Sequence, residues 1–355
     1  MYDFKEKKLS CNLEKNYEFF KELFEKDDIL RTRKLHVNQA VSFDCVLLFM
    51  DGMINSDTLN LSIVRPLLVT NKKNEQSSLT QYVLKEILFA AEASESDDIE
   101  TMLRALLYGD TLLLLENTRK AILINTKGWR TRGITEPNNE RILQGPREGF
   151  DEAVMLNLAM IRRKLPTPDL CVELQHIGRR TDTKIFICYL DSLVEKKILN
   201  ELKKRLKQID IDGVLDSNYI NEFIRDGKFS LFKTIGTTER PDIVVARILE
   251  GRVAVFVDGT PVVMTLPYLF DENFQSDDDY YLNYFVASIG RILRYVCFFL
   301  SISVPGIYIA LITAHNQLIP TSFAITIAAS RGGVPFSSLS EFSNFIVSPI
   351  LISNN

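Results

Sequence analysis

The feature that most constrains this chain of 355 residues is an uncharged segment in its C-terminal part. Tyr295 to Thr313 reads YVCFFLSISVPGIYIALIT, nineteen residues without a formal charge. A helix of about 20 apolar residues is long enough to cross the hydrocarbon core of a bilayer. Pro305-Gly306 lies near the middle, where a membrane helix tolerates it. The segment therefore predicts a membrane-spanning helix over about residues 292–313.

Charge separates this segment from the rest of the chain. Only Arg331 and Glu341 are charged within residues 295–355, whereas charged residues make up 25% of the whole. Arg291 and Arg294 precede the span by one turn. Because basic residues flank membrane helices on the cytoplasmic side, we expect both arginines at the membrane interface and the N-terminal region in the cytoplasm. A buried core helix is the alternative, but such a helix carries charged faces at its flanks.

A repeat organises the region before the span. Val46–Asn60 (VLLFMDGMINSDTLN) matches Phe186–Asn200 (FICYLDSLVEKKILN) at an offset of 140 residues. At an offset of 142, residues 99–109 match 241–251 as short helices that end at a glycine. Each is followed by a strand, a tight turn and a second strand. The pattern predicts an α/β fold: two tandem duplicated α/β subdomains followed by a membrane-spanning α-helical segment.

The repeat and the connecting helix also suggest domain limits. Between the copies, apolar residues recur at helical spacing from Phe150 to Leu165, and prolines follow. We expect five parts: an N-terminal arm (1–40), a first α/β subdomain (41–144), a connector helix (145–170), a second α/β subdomain (171–280) and a membrane region (281–355).

The sequence carries little that predicts catalysis. Its three histidines are far apart, and HExxH, GxGxxG, Walker A and GxSxG patterns do not occur. Asp51, Asp191 and Asp258 each follow a predicted strand, but each also precedes a turn, where Asp is favoured. The acidic run Asp277–Asp279 fits a solvated face better than a cation site. We expect no enzyme, no metal and no cofactor; the weakly acidic net charge of −4 also argues against nucleic-acid binding.

Two loops place opposite charges beside a proline. They are Pro146-Arg147-Glu148 and Glu239-Arg240-Pro241. In the second loop, Thr238 is a candidate helix N-cap and Pro241 suits the first helical turn. We expect both loops to make contacts between subdomains or subunits. The alternative for the second is simply a well-formed helix cap.

Longer segments resemble one protein family, the A subunit of GerA-type spore germinant receptors. The resemblance extends from about Phe43 to Phe336. Five segments carry it, in the order of the family: SFDCVLLFMDGMINSDTLNLSIVRPLL (Ser42–Leu68), GPREGFDEAVMLNLAMIRRKL (Gly145–Leu165), IDIDGVLDSNYINEFI (Ile209–Ile224), TTERPDIVVARILEGRVAVFVDGTPVV (Thr237–Val263) and IPTSFAITIAASRGGVPF (Ile319–Phe336).

This resemblance implies a multi-pass protein of the spore inner membrane with a cytoplasmic N-terminal region. Its implied partners are a transporter-like B subunit, a lipoprotein C subunit and further copies of itself. Such receptors sense nutrients and trigger ion release during germination. Family members continue into further membrane helices, whereas this sequence turns serine-rich after Phe336, so we expect a truncated copy. Alternatives are a ligand-binding or regulatory module of another membrane transporter and a membrane-anchored enzyme.

Overall fold

The computed structural model describes residues 8–38, 41–70, 78–128, 140, 145–227, 230, 232–276, 279 and 281–313. The chain divides into two compact units, Met1–Tyr281 and Leu282–Asn355. The segment Ile319–Phe336, and two of the three residues of the acidic run Asp277–Asp279, lie outside the described residues.

The first repeat contains one five-stranded antiparallel sheet with strand order β1-β2-β4-β5-β3. Its elements are α1 (Leu13–Leu23), β1 (Leu30–Asn38), β2 (Ser42–Met50), α2 (Ser56–Thr58), a π-helix (Leu59–Val64), α3 (Arg65–Val69), α4 (Leu79–Tyr82), a second π-helix (Val83–Ile87), β3 (Ala93–Ser96), α5 (Ile99–Leu107), β4 (Thr111–Leu115) and β5 (Ala121–Ile124).

The second repeat forms a five-stranded antiparallel sheet of the same order, β6-β7-β9-β10-β8. Its elements are α6 (Val154–Lys164), β6 (Leu170–Ile177), β7 (Thr183–Leu190), α7 (Lys196–Gln208), α8 (Ser217–Ile224), β8 (Gly236–Thr238), α9 (Pro241–Leu249), β9 (Val253–Val257), β10 (Val263–Leu266) and a 3-10 helix (Phe270–Phe274). The predicted duplication is therefore present in the order of the strands.

Matching turns support the repeat. Gly109 and Gly251 follow α5 and α9 with φ of 94° and 84°, which closes a helix in the left-handed conformation that glycine adopts without strain. The hairpin β4–β5 turns through Asn117 with φ of 53°, and the hairpin β9–β10 through Gly259 with φ of 90°. Both turns lie where the sequence predicts them.

The central strands of both sheets carry runs of apolar residues that are buried on both faces, such as Leu112–Leu115 of β4 and Val253–Val257 of β9. In β4, Leu112 and Leu114 join one core while Leu113 and Leu115 join another. This follows from the two-residue period of a strand, which sends alternate side chains to opposite faces. Continuous apolar runs are thus the correct signal for these strands.

The two repeats share one central core rather than forming separate lobes. Apolar side chains from one face of each sheet meet those of α1, α5, α6 and α9 in a single cluster. The outer face of the first sheet is covered by α3, α4 and the π-helices, and that of the second by α7 and α8. Met1–Tyr281 is accordingly one compact unit.

The segment predicted as an N-terminal arm contributes ordered structure to this unit. In α1 the Phe20 side chain is fully buried, and β1 pairs along its length with β2. Between them, the chain pairs with the second sheet: the Asp28 amide donates to the Val172 carbonyl (2.8 Å), and the Val172 amide donates to the Lys26 carbonyl (3.2 Å). The N-terminal segment therefore links both repeats.

The second unit begins with α10 (Tyr284–Thr313), a helix of 30 residues. At 1.5 Å per residue such a helix is about 45 Å long. Its part from Tyr284 to Ala310 is long and apolar enough to cross a membrane. The helix continues through Pro305, and Arg291 and Arg294 lie one turn apart along it.

Candidate functional site

The two loops with paired charges lie side by side in the first unit. The Phe150 amide, just after the Pro146-Arg147-Glu148 loop, donates to the Glu239 carbonyl at 2.8 Å. The Phe150 ring is buried and packs edge-on against Phe256 of β9, with ring centroids 5.6 Å apart. A backbone hydrogen bond thus joins the loop before α6 to the loop before α9, and an aromatic contact joins it to β9.

Arg240 lies at the centre of the second loop, and its side chain is fully buried. Its Nε and Nη2 donate to the two carboxylate oxygens of Asp242, at 3.2 and 2.6 Å. The Tyr281 hydroxyl donates to the same carboxylate, and the guanidinium lies 5.8 Å from the centre of the Tyr281 ring. Burial, and then the bond to Asp242, raise the pKa of Tyr281 to about 12. Tyr281 therefore stays a hydrogen-bond donor at neutral pH.

Arg240 forms an ion pair with Asp242, two residues further along the chain. Arg240 is the N-cap of α9 and has an extended backbone (φ −109°, ψ 122°). In extended chain, successive side chains point in opposite directions, so Glu239 and Arg240 diverge. Pro241 is buried at the first helical turn, as predicted.

Thr238 does not cap α9; it precedes the N-cap by two residues. Its hydroxyl accepts from the Arg240 amide (3.1 Å) and donates to the Glu140 carboxylate (2.6 Å). The Glu239 amide donates to the same Glu140 oxygen at 3.0 Å. The loop is thereby held from one side by Glu140 and from the other by Phe150.

In the first loop, Glu148 is half-buried and Arg147 exposed. Glu148 pairs with Arg163 and with Lys164 (2.9 Å), in the last turn of α6. Burial alone would raise the pKa of Glu148, but the hydrogen bonds from Lys164 and Arg163 outweigh it and lower the pKa below its ordinary value. Glu148 therefore fastens this loop to the C-terminal end of the connector helix.

The sequence did not predict a buried ion pair that α6 forms with the N-terminal segment. Arg162 is fully buried, contacts Asp27 and donates to the carbonyls of Thr167 (3.0 Å) and Leu170 (3.2 Å). Its position held a signal, since it lies four residues after Leu158 on the apolar face of α6. A basic residue in the last turn of a helix is also favoured by the helix dipole, so the sequence alone does not show that Arg162 is buried.

A second buried network lies at the other end of α9. Glu272 of the 3-10 helix pairs with Arg247 (2.8 Å) and with Arg252. Both arginines also contact Glu250, at 3.2 and 2.9 Å. A cavity of about 210 Å³ lies beside this network and is lined by Glu140, Thr238, Arg247, Glu272 and other polar residues.

The three turn aspartates each serve a structural contact. Asp51 accepts from the Gly52 amide (3.0 Å), and Asp191 pairs with Lys26 (3.0 Å). Asp258 accepts from the Val154 amide at 3.3 Å, where α6 begins. Among the described residues, no cluster of His, Cys, Asp and Glu side chains could hold a metal ion.

Comparison with known proteins identifies the family. The model of the Bacillus/Clostridium GerA spore germination protein family matches residues 18–348. Spore germination protein KA of Bacillus subtilis (strain 168) is 35% identical over 334 residues, covering 94% of this chain and 61% of that protein. Uncharacterized membrane protein YfkQ of the same strain is 36% identical over 83% of this chain and 57% of its own length. Spore germination protein GerLA of Bacillus cereus is 32% identical over 84% of this chain and 60% of that protein.

The fold also matches a solved structure. The crystal structure of the N-terminal domain of the A subunit of the Bacillus megaterium spore germinant receptor GerK3 shares 30% identity and a TM-score of 0.56, covering 74% of this chain and 97% of that one. This chain spans about 60% of the length of the curated relatives it matches. Over that length, sequence and fold agree: the chain is a membrane protein that belongs to the GerA spore germination protein family.

Proposed function

We propose that this chain is the A subunit of a nutrient germinant receptor in the spore inner membrane, with Met1–Tyr281 in the cytoplasm. The observation that carries the proposal is the match to the family over residues 18–348, together with the likeness to the N-terminal domain of a germinant receptor A subunit. The arginines Arg291 and Arg294 at the start of the apolar helix support the cytoplasmic placement.

In this proposal the subunit acts by assembly and is not an enzyme. It joins a transporter-like B subunit, a lipoprotein C subunit and further copies of itself, and takes part in nutrient sensing and in triggering ion release. The charges of the candidate site support this role because contacts within the unit engage them: Arg240 with Asp242, and Glu148 with Lys164. Side chains held in this way stabilise a shape rather than perform chemistry.

The loop Pro146-Arg147-Glu148 is our candidate for a subunit contact. Arg147 is exposed, while Glu148 and the Phe150 amide hold the loop to α6 and to the Glu239 carbonyl. An exposed arginine on a rigid loop loses little conformational entropy when a partner binds, and arginine is enriched at protein interfaces. The Glu239 carbonyl, next to the buried Arg240, accepts the hydrogen bond from the Phe150 amide and thereby supports this loop.

Affinity capture of the tagged full-length chain from spore membranes tests the proposal. The chain should be found in the inner-membrane fraction, and subunits of the B and C types should co-purify with it. The variant Arg147→Ala should keep the chain in the membrane but reduce the amount of co-purified subunits. An exposed lysine far from the loop in sequence, Lys207, supplies the matched control Lys207→Ala.

Two results would contradict the proposal. One is capture of the full-length chain from spore membranes without any B or C subunit. The other is recovery of the chain in the soluble fraction, which would remove the membrane location itself.

A further inference from the structure

Two loops of the second repeat expose large apolar side chains at one place. Phe232 is 60% exposed, Leu269 52% and Phe270 46%. The rings of Phe232 and Phe270 meet edge-on, with centroids 5.3 Å apart, and Phe270 packs on the buried Phe274 at 5.4 Å. Phe232, Leu269 and Phe270 are called the aromatic patch below.

The first of these loops holds Phe232 in place by local hydrogen bonds. The Phe232 amide donates to the Ser230 hydroxyl oxygen (3.1 Å), and that hydroxyl donates to the Phe232 carbonyl (3.2 Å). The Ser230 amide donates to the carbonyl of Gly227, which has a φ of 64°. These bonds hold the backbone at Phe232, and its side chain is largely exposed.

The second loop is held by the buried network of Glu272 with Arg247 and Arg252. The Leu269 amide donates to Glu272 at 2.7 Å, and the Glu272 side chain is only 3% exposed. Its partners are Arg247, which lies in α9, and Arg252, which directly precedes β9. Leu269 and Phe270 are therefore exposed on a segment held by this network, and a cluster of exposed apolar residues marks an interaction site.

The position of the patch along the chain favours a lipid surface as its partner. Phe270 precedes Tyr284, where α10 begins, by 14 residues. A site tethered so closely to a membrane helix meets the bilayer at a high effective concentration, so a few apolar side chains are enough for binding. The first repeat also exposes a phenylalanine, Phe89, but it lies 195 residues before α10.

We propose that the aromatic patch inserts into the headgroup region of the membrane that α10 crosses. Aromatic side chains are enriched at this depth of a bilayer. Among the described residues directly beside the patch, exposed Lys233 adjoins Phe232 and exposed Asp271 adjoins Phe270, and their charges are opposite. Insertion is therefore driven by apolar contact and does not require anionic lipid.

Tryptophan fluorescence of the full-length chain in vesicles of brominated phosphatidylcholine tests this proposal. The chain contains one tryptophan, Trp129, which is first replaced by phenylalanine. Single probes are then introduced as Phe232→Trp and Phe270→Trp, with Phe89→Trp as the matched exposed control. Bromine near the headgroup end of the acyl chain should quench each patch probe at least about twofold more than the control. High salt should leave this difference unchanged.

Equal quenching of the patch probes and the control would overturn the proposal. A blue-shifted, unquenched patch probe that appears only when another protein is added would also overturn it, and would assign the patch to a protein contact. Because two patch probes are used, misfolding of one variant does not decide the result. The vesicle measurement needs no partner subunit, so it is independent of the receptor function proposed above.

Discussion

The variant Arg162→Ala tests whether one buried ion pair holds the N-terminal segment to the second repeat. Arg162 and Asp27 are 0% and 2% exposed. Without Arg162, Asp27 still accepts a hydrogen bond from the Ile29 amide at 3.3 Å. The carbonyls of Thr167 and Leu170 each lose the hydrogen bond that Arg162 donates. Truncating one member of a buried pair costs roughly 3–5 kcal/mol. Because two carbonyls also lose their donor, we expect the upper half of that range, about 4–5 kcal/mol at neutral pH.

The cost should also depend on pH. Burial raises the pKa of Asp27 above its ordinary value, although Arg162 opposes this rise. In Arg162→Ala the folded-state pKa rises further. A raised pKa contributes stability that is fully present below the unfolded value and is lost as the pH rises through the folded value. The destabilisation relative to the unsubstituted chain should therefore grow by about 1.4 kcal/mol per pH unit above the folded pKa of Asp27 in the unsubstituted chain, up to the higher folded pKa of the variant.

Urea unfolding of residues 1–281, followed by far-UV circular dichroism at about pH 5, 6 and 7, measures both effects. The equivalent domain of GerK3 was crystallised by itself, so this unit is expected to fold alone. Arg104→Ala, which breaks an exposed pair with Glu100, is the control and should cost below about 0.5 kcal/mol.

The double variant Arg162→Met with Asp27→Leu should recover most of the loss, because it leaves no buried charge unpaired. A cost of Arg162→Ala below about 1 kcal/mol, or one independent of pH, would refute this reasoning. A double variant that is less stable than Arg162→Ala would refute it as well.

Two further predictions concern the loops and the turns. The lowered pKa of Glu148 means that its contribution is present above the unfolded pKa and is lost as the pH falls through the folded value. Glu148→Gln should thus cost up to about 1 kcal/mol at neutral pH, and in urea titrations this cost should disappear as the pH falls below the folded pKa of Glu148. Gly251→Ala should lower the melting temperature more than Gly259→Ala. Both glycines have positive φ, but a Cβ at Gly251 would lie 2.7 Å from a backbone oxygen, whereas one at Gly259 meets nothing within 4 Å.

The central strands and hairpins of the fold could be predicted because their residues are apolar on both faces. β1 could not, since LRTRKLHVN exposes most of its side chains at the sheet edge and carries four basic residues, counting His36. Such edge strands often carry charges that prevent further pairing, and these charges hide the strand from a hydrophobicity pattern. The polar β3 (ASES) was missed for the same reason.

At the candidate site, the sequence predicted the start of α9 at Pro241 but not the partners of Arg240, and the role of the two loops in subunit contacts stays a prediction. The Glu239-Arg240-Pro241 loop was identified from its charges and its proline, and Pro241 does begin α9. The contact of the Arg240–Asp242 pair with Tyr281 depends on tertiary packing, because Tyr281 lies 39 positions after Asp242. Local sequence carries no information about such a contact.

A germination assay that compares two variants tests most directly whether this chain acts by assembly rather than by catalysis. Arg240→Ala leaves Asp242 without its buried partner, at a cost of roughly 3 kcal/mol, which is enough to lower the amount of a protein in the cell. Asp191 forms partly exposed pairs with Lys26 and Lys196, so Asp191→Asn should cost below about 1 kcal/mol. We predict that Arg240→Ala reduces the receptor level on immunoblots and the response to nutrients, while Asp191→Asn changes both little. Normal germination with Arg240→Ala, together with an inactive but fully assembled Asp191→Asn, would contradict assembly as the role of this chain and place chemistry at Asp191.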